Sequence, residues 1–338
     1  MRSAVTVLVC AIGIIVMLAA SEVLVRGLSR LGVKLAFSAA LLGLVTALGA
    51  DAPEISSAVS ALASGARDVG FGVIVGSNIF NLAALLGVPA IMSGHLRTPR
   101  GPLLLDGGVS LLMTLAVGAW VLAWVSAPVV AAILFVIFAA YLMVLAASPA
   151  RIDRWPLPER VRAAAVRAAT AVRPLPSPVW DERLELSPKQ RSWLPVSFVP
   201  ASLGAIVAGS AITVHAALDL ASQWHVSNVI VGTIALAGIT GLPNAYAAIR
   251  LSLEGRGSAV VSEAFNSNAI NLLIGIGVPA LITSGSPARA GMLADLLWLV
   301  GLTLLTLAMT GNRDGLYRIE GMIVIAGYLA FVAFKFAG

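Results

Sequence analysis

Apolar runs of about 20 residues follow one another along the whole chain, separated by short polar segments. A run of this length crosses the hydrocarbon core of a bilayer when it forms an α-helix. Inside a bilayer the backbone polar groups must be paired within the protein, and a helix pairs them all. Only 11% of the residues are charged, against about 25% in soluble domains, so a soluble globular fold is excluded. The sequence predicts an all-α, polytopic membrane protein.

We predict ten transmembrane helices from these runs. Their approximate spans are residues 4–25, 36–63, 69–92, 103–125, 128–147, 196–221, 227–250, 258–283, 289–310 and 317–336. A polar segment rich in Arg and Pro separates the fifth run from the sixth. We therefore expect a five-helix unit at 1–148, a basic linker at 149–195 and a second five-helix unit at 196–338.

The second unit repeats the first at a constant offset of 190 residues. The segment Ser77-Asn78-Ile-Phe-Asn81 returns as Ser267-Asn268-Ala-Ile-Asn271, and Gly-Val-Pro-Ala follows both copies. The matching regions are residues 43–91 and 232–281. A register kept over about fifty residues indicates two copies of one structural unit.

Basic residues are distributed unevenly between alternate loops. Eighteen of the 22 Lys and Arg residues lie in loops that share one side of the membrane. Cytoplasmic loops carry such an excess of basic residues. Both termini are therefore predicted to lie outside and the 149–195 loop in the cytoplasm. The expected location of the protein is the plasma (inner) membrane. Five spans per unit is an odd number, so the second unit enters the membrane upside down. The two repeats are therefore predicted to be inverted, as in secondary transporters.

Two carboxylates lie in the middle of the second predicted span, in the sequence Asp51-Ala-Pro53-Glu54. An ionisable residue at this depth costs about 2.5–3.5 kcal/mol on insertion scales, so a pair of them needs a function or a partner. Asp51 and Glu54 are three residues apart and share a helix face. Pro53 has no N–H for the carbonyl of Gly49 and bends the helix. The pattern predicts a broken helix that offers carboxylates and free carbonyls to a cation.

Neutral oxygen ligands follow in the next span of each copy. Ser77 and Asn81 are four residues apart and share a helix face, and Ser267 and Asn271 repeat them. Amide and hydroxyl oxygens are suitable ligands for hard cations. For the neighbouring Asn78, a ligand role and a hydrogen bond between helices are both open.

The second copy differs from the first in charge. Asn244 stands at the position equivalent to Glu54, beside the repeated helix break at Pro243. Glu263 lies on the same helical stripe as Ser267 and has no acidic counterpart in the first copy. We expect Glu263 either to restore part of the lost charge or to lie hydrated at the cytoplasmic mouth.

The remaining segments carry fewer signals. The fourth and fifth spans are nearly featureless, and we assign them a scaffold role without chemistry. The basic sequence that ends at Arg173 predicts either a short helix on anionic headgroups or a solvated connector.

At these residues the chain resembles the cation/calcium exchanger superfamily, which includes the sodium/calcium exchangers. The two inverted repeats of that family read G-T-S-L-P-E and, further on, G-N-x-I-G-S-N. Here the first copy reads Gly49-Ala50-Asp51-Ala52-Pro53-Glu54 and then Gly76-Ser77-Asn78. The second copy reads Ile239-Thr240-Gly241-Leu242-Pro243-Asn244 and then Asn266-Ser267-Asn268. The similarity covers the whole ten-span layout and the long central loop.

The resemblance implies a central cation site between the repeats, with the first and sixth helices moving against the rest. The residues it implies as site lining are Glu54, Ser77, Asn81, Thr240, Asn244, Ser267 and Asn271. Family members that handle calcium usually carry an acid in both breaks. This chain has Asn244 in one break and an additional acid at Asp51.

Together these features predict a secondary active cation antiporter that exchanges calcium for sodium or protons by alternating access. The predicted metal ligands are Asp51, Glu54, Ser77, Asn81, Thr240, Asn244, Ser267, Asn271 and Glu263. We expect no enzymatic activity, no cofactor beyond the transported calcium, sodium or proton, and no nucleic-acid partner. The expected partners are the lipid bilayer and inorganic cations. Two alternatives stay open: a monovalent cation or proton transporter, and a membrane subunit or sensor without transport activity.

Overall fold

The structure is a computed structural model that describes residues 2–35, 47–172, 194–282, 290–311 and 314–337. Almost all of these residues form helices joined by short turns, which confirms the all-α prediction. The helices of the first unit are α1 (Arg2–Lys34), α2 (Ala52–Ala63), α3 (Arg67–Asn81), the π-helical turn π1 (Leu82–Gly87), α4 (Val88–Ser93), α5 (Arg100–Val121) and α6 (Ala127–Ala146). Residues 47–50 are also helical and precede α2.

The second half of the chain forms a matching series after a helical connection. The connection contains α7 (Pro149–Ile152), α8 (Glu159–Val172) and α9 (Leu194–Ser197). The second unit consists of α10 (Val199–Trp224), α11 (Asn228–Ile230), π2 (Val231–Leu236), α12 (Ala237–Thr240), α13 (Leu242–Leu253), α14 (Gly257–Ile270), π3 (Asn271–Gly277), α15 (Val278–Ile282), α16 (Ala290–Gly311) and α17 (Arg318–Ala337). Two short strands, β1 (His95–Arg97) and β2 (Gly315–Tyr317), pair antiparallel.

Nine of the ten predicted spans have a counterpart in the described part of the chain. Eight helices there are long and apolar enough to cross a membrane, and the bent pair 228–240 and 242–253 gives a ninth. The remaining predicted span, 36–63, lies partly outside the described residues. The total of ten therefore stays a prediction.

Both predicted helix breaks are present. In the first unit, Asp51 interrupts the helix between residues 47–50 and α2. In the second unit, Gly241 separates α12 from α13, and the two segments meet at 45°. A proline stands two residues after each break, where its missing N–H is tolerated at the start of a new helix. The breaks place Asp51 and Gly241 at equivalent points.

A π-helical turn begins directly after the last asparagine of the Ser-Asn-x-x-Asn segment in the first copy and at that asparagine in the second. π1 ends two residues before Pro89, and π3 ends two residues before Pro279. Proline cannot donate to the carbonyl four residues earlier, and a widened turn lets the helix continue past it. Such turns are frequent at functional sites, because they change which side chains share a face.

Two helices lie at the centre of the molecule. In the most apolar stretch of the span that begins with α3, 94% of the residues are buried, and in the span that begins with α14 the value is 72%. The corresponding value for α1 and α17 is 17%, as expected for helices that face lipid. The repeated polar residues thus lie on the two innermost helices.

The basic part of the linker, for which a helix on headgroups and a solvated connector were both open, is helical over Glu159–Val172. Helix α8 packs Ala165, Val166 and Ala169 around Ile152 and the end of α6. Its exposed residues include Arg160 and Arg167. The rest of the predicted linker, residues 173–193, lies outside the described part of the chain.

Helix α3 approaches the second unit closely at Gly76. A Cβ atom at Gly76 would collide with the backbone of Thr233 on π2, whereas one at Gly118 meets nothing within 4 Å. Because backbone cannot move aside cheaply, Gly76→Ala should lower the free energy of unfolding by about 1–3 kcal/mol. Thermal unfolding in detergent micelles measures the loss, with Gly118→Ala as the matched control. Equal melting temperatures for the two variants would contradict this packing.

Candidate cation site

The two central helices cross through a reciprocal contact between equivalent residues. Asn78 Nδ2 donates to the backbone oxygen of Asn268 at 3.1 Å, and Asn268 Nδ2 donates to the backbone oxygen of Asn78 at 3.1 Å. A contact in which residue i touches j as j touches i is characteristic of a two-fold axis. The two repeats are therefore related by a pseudo-two-fold axis that passes between α3 and α14.

Two further asparagines extend this contact symmetrically. Asn81 Nδ2 donates to Asn268 Oδ1 at 3.1 Å, and Asn271 Nδ2 donates to Asn78 Oδ1 at 3.2 Å. All four side chains are fully buried. The amides of Asn78 and Asn268 are thereby used as both donors and acceptors, so Asn78 is a helix contact. Asn81 and Asn271 keep their own Oδ1 atoms free of hydrogen bonds.

The two predicted acids meet the second repeat at the same place. Ser267 Oγ donates to Asp51 Oδ1 at 2.5 Å, and Asn244 Nδ2 donates to the same oxygen at 2.8 Å. Asn244 Nδ2 also lies 3.4 Å from Glu54 Oε1. Because Glu54 and Asn244 are equivalent positions, they face each other across the axis. All four side chains are buried, with Asp51 only 1% and Glu54 0% exposed.

The site is symmetric in shape and asymmetric in charge. Ser267 donates to the carboxylate of Asp51, whereas the hydroxyl of its equivalent, Ser77, has no hydrogen-bond partner, because Gly241 stands at the position equivalent to Asp51. The amide of Asn244 takes the place of a second facing acid. Both negative charges therefore come from the first repeat.

Six buried oxygen atoms of the predicted ligand residues have no hydrogen-bond partner. They are Asp51 Oδ2, Glu54 Oε2, Ser77 Oγ, Asn81 Oδ1, Asn244 Oδ1 and Asn271 Oδ1. An unpaired buried polar atom costs about 1–3 kcal/mol, and native proteins contain few of them. Six oxygens, two of them from carboxylates, match the lower end of the calcium coordination number. The donor set therefore fits a hard cation.

Neutral ligands are needed to complete such a site. The described residues contain no group of three or more His, Cys, Asp or Glu side chains that could hold a metal ion. Glu263 is partly exposed and lies close enough to Asp51 for the two carboxyl groups to interact electrostatically, but it does not form such a group with Asp51 and Glu54. Thr240 is buried, but its hydroxyl donates to the Leu236 carbonyl of its own helix at 2.9 Å. These two predicted ligands lie outside the hydrogen-bonded network.

The prediction that the helix break in the first repeat offers a free backbone carbonyl to a cation is wrong. The carbonyl of Gly49, which Pro53 leaves without its helical partner, accepts a hydrogen bond from Ser21 Oγ of α1 at 3.1 Å. Ser21 is itself buried, at 2% exposure. The carbonyl is therefore paired with α1 and is not free to bind a cation in this conformation.

The expectation that the fourth span is nearly featureless is also wrong, because this span contains a buried acid. Asp106 on α5 is 2% exposed and accepts hydrogen bonds from Tyr141 of α6 and Ser262 of α14. A second buried acid, Asp295 on α16, lies 2.6 Å from the Nζ atom of Lys335 on α17. The rule that singled out Asp51 applies equally to an acid within a span, and it would have found both.

Two repeats related by a pseudo-two-fold axis, broken helices and a buried oxygen-lined site define a polytopic membrane transporter. The profile of the family described as sodium/calcium exchanger protein matches residues 5–147 and 195–337, and the chain belongs to this family. This confirms the resemblance read from the repeat motifs.

Individual relatives agree with this assignment. An Alkalimonas amylolytica protein provisionally named antiporter CaxA is 26% identical over 327 residues, which is 95% of each chain. The sodium/calcium exchanger MaX1 of Methanosarcina acetivorans is 24% identical over 40% of this chain and 39% of its own.

Two solved structures share the fold. The H⁺/Ca²⁺ exchanger CAX has a TM-score of 0.73 at 14% identity, over 98% of this chain and 85% of that one. The sodium-calcium exchanger NCX_Mj has a TM-score of 0.61 at 19% identity, over 98% and 99%. At these identities the likeness is evidence for the fold alone.

The reciprocal asparagine contact makes a prediction about stability. Asn78→Ala and Asn268→Ala each remove a buried amide that donates to the facing backbone and accepts from the facing asparagine, so each should cost about 1–3 kcal/mol. Because the axis makes the two contacts equivalent, the two losses should be similar. Unfolding in detergent measures both, with Gln223→Ala, a truncation of an exposed amide, as control. An unchanged free energy of unfolding in either variant would contradict this contact between α3 and α14.

Proposed function

We propose that the protein is a secondary active cation antiporter that exchanges calcium for sodium or protons. The observation that carries this proposal is the set of six buried oxygens without partners, two of which belong to carboxylates. A calcium ion takes six to eight oxygen ligands, often including several carboxylate oxygens. The names of the relatives, an antiporter, a sodium/calcium exchanger and a proton/calcium exchanger, support the same class of cargo.

Exchange follows from competition for the same two carboxylates. Ions that bind Asp51 and Glu54 exclude each other, so one must leave before the other enters. An empty site holds two buried negative charges, and moving them past apolar surface is costly. The site therefore reorients readily only when cations neutralise it, which couples the two fluxes.

A separate pair of helices supplies the moving part. Helices α1 and α10 cross closely at Gly13 and Gly209, where a Cβ atom on either glycine would lie within 3.0 Å of the other's carbonyl oxygen. Met17, Leu24 and Ile206 form a hydrophobic cluster of their own between these helices, apart from the main core. We assign this pair the motion that exposes the site alternately to the two sides, as the family resemblance implies. The hydrogen bond from α1 to the Gly49 carbonyl would break and reform in each cycle.

We extend the proposal to the arrangement in the membrane. The five-helix units are assigned to residues 1–148 and 196–338, with the linker 149–195 in the cytoplasm and both termini outside. This orientation puts the excess of basic residues inside a plasma membrane. A cysteine introduced into the linker should react with a membrane-impermeant maleimide only after the cells are opened.

The charge of Glu54 is predicted to be essential. Glu54→Gln keeps the size of the side chain and removes one of the two charges, so calcium uptake should fall to background. The measurement is radiolabelled calcium uptake into proteoliposomes under an outward sodium or an outward proton gradient. Glu22→Gln is the matched control, because Glu22 is an exposed acid paired with Arg26 on α1. Uptake at the wild-type rate in Glu54→Gln would refute the proposed function.

The two gradients in the same assay identify the counter-ion. If only one of the two gradients drives calcium uptake, the ion of that gradient is the counter-ion. Calcium-independent sodium or proton flux without calcium uptake would favour the monovalent transporter.

The negative charge of Asp51 is predicted to be replaceable by a negative charge at position 244, on the other side of the axis. Asp51→Asn should lower the maximal uptake rate about tenfold or more, because calcium sites rely on carboxylate charge. Asn244 Nδ2 lies 2.8 Å from Asp51 Oδ1, so combining Asp51→Asn with Asn244→Asp moves the charge within the same contact. The double variant should recover most of the lost rate. No recovery would mean that the negative charge is required at position 51 itself and cannot be supplied from across the axis.

A further inference from the structure

A second buried polar cluster joins three helices beside the candidate site. Tyr141 Oη lies 2.9 Å from Asp106 Oδ1 and 2.6 Å from Asn266 Oδ1. Ser262 Oγ donates to Asp106 Oδ2 at 2.5 Å. We call these four residues the Asp106 cluster. It ties α5 and α6, the helices without a predicted role, to two points on α14.

The protons in the Asp106 cluster can be counted. A tyrosine hydroxyl carries one hydrogen, so it cannot donate to both neighbouring oxygens. When Tyr141 donates to Asp106, a half-turn of the Asn266 amide brings an N–H to the tyrosine oxygen, and every contact is satisfied. Asp106 then accepts one hydrogen bond on each oxygen. A carboxylate that accepts both hydrogen bonds holds the two hydroxyl groups in place.

The two anchored residues of α14 stand next to predicted site residues. Asn266 immediately precedes Ser267, whose hydroxyl donates to Asp51 at 2.5 Å. Ser262 lies one turn earlier, four residues from Asn266. Two attachment points one turn apart fix both the rotation of a helix about its axis and its position along that axis. The rest of the helix follows as a rigid body.

We propose that Tyr141, held by Asp106, is a positioning residue for the cation site. Its hydroxyl sets the rotation of α14 and so keeps Ser267 in hydrogen-bond contact with Asp51. The proposal rests on the proposed function, because it assigns Tyr141 a role in cation affinity. A simple structural role would lower stability and the amount of active protein without changing the affinity.

The test is calcium uptake by Tyr141→Phe, which removes only the hydroxyl group. The half-saturating calcium concentration should rise about tenfold, as expected for the loss of one hydrogen bond in a network with a charged group, while the maximal rate is kept. In a Ser267→Ala background the same change should have little further effect, since the two residues act through one contact. Tyr246→Phe, which alters a tyrosine that is 71% exposed, is the matched control.

Each outcome decides the proposal. An unchanged half-saturating concentration, a loss confined to the maximal rate, or additive effects with Ser267→Ala would overturn it. If Tyr141→Phe does not yield folded protein, Ser262→Ala removes the other attachment point and should raise the half-saturating concentration in the same way.

A second measurement needs no transported ion. The melting temperatures of wild type, both single variants and the double variant in cation-free detergent form a double-mutant cycle. Non-additive shifts support coupling between Tyr141 and Ser267, and additive shifts contradict it. A wild-type protein without calcium uptake would instead count against the proposed function and leave this cycle to decide the role of Tyr141.

Discussion

The structure depends on two carboxylates, Asp51 and Glu54, that are buried at a helix break in the middle of a membrane domain. Uncompensated charge at this depth is costly, and the groups that hydrogen-bond to these acids are neutral. Asn244 and Ser267 satisfy one oxygen of Asp51 and leave others unpaired. We propose that a cation is the partner that these oxygens lack. The broken helices, the central position of α3 and α14 and the outer layer of lipid-facing helices all serve to hold this set of oxygens in place.

The pseudo-two-fold axis explains why the site lies where it does. Equivalent residues of two inverted repeats meet on the axis, so the same segment can contribute twice to one site. Asn78 and Asn268 use this symmetry to lock the helix crossing, and they leave the free oxygens of Asn81 and Asn271 on either side. The charge departs from the symmetry. Both acids belong to the first repeat, and the facing position is occupied by the amide of Asn244, which donates to them instead of repelling them.

Sequence reasoning predicts those parts of the structure that depend on local pattern. Span length, helix breaks at prolines and the spacing of polar residues lead to Asp51 and Asn81, because each of these signals lies within a few residues. The repeat register is also visible in the sequence, because it compares one stretch of the chain with another. The pairing of the Gly49 carbonyl does not follow in this way, since its partner, Ser21, lies 28 residues earlier on another helix. The role of Asp106 also depends on three helices that meet only in the fold. Pattern identifies which groups are costly to bury, and packing decides which of them find partners.

The most direct test of this account is a crystal structure of the protein soaked with calcium or strontium, with the cation located by its anomalous scattering. We expect a peak on the pseudo-two-fold axis, about 2.3–2.6 Å from oxygens of Asp51, Glu54, Asn81 and Asn271 for calcium. The same peak should be lost in Glu54→Gln. A cation bound elsewhere, for example at Asp106, with the oxygens at the crossing still unpaired, would contradict the central claim.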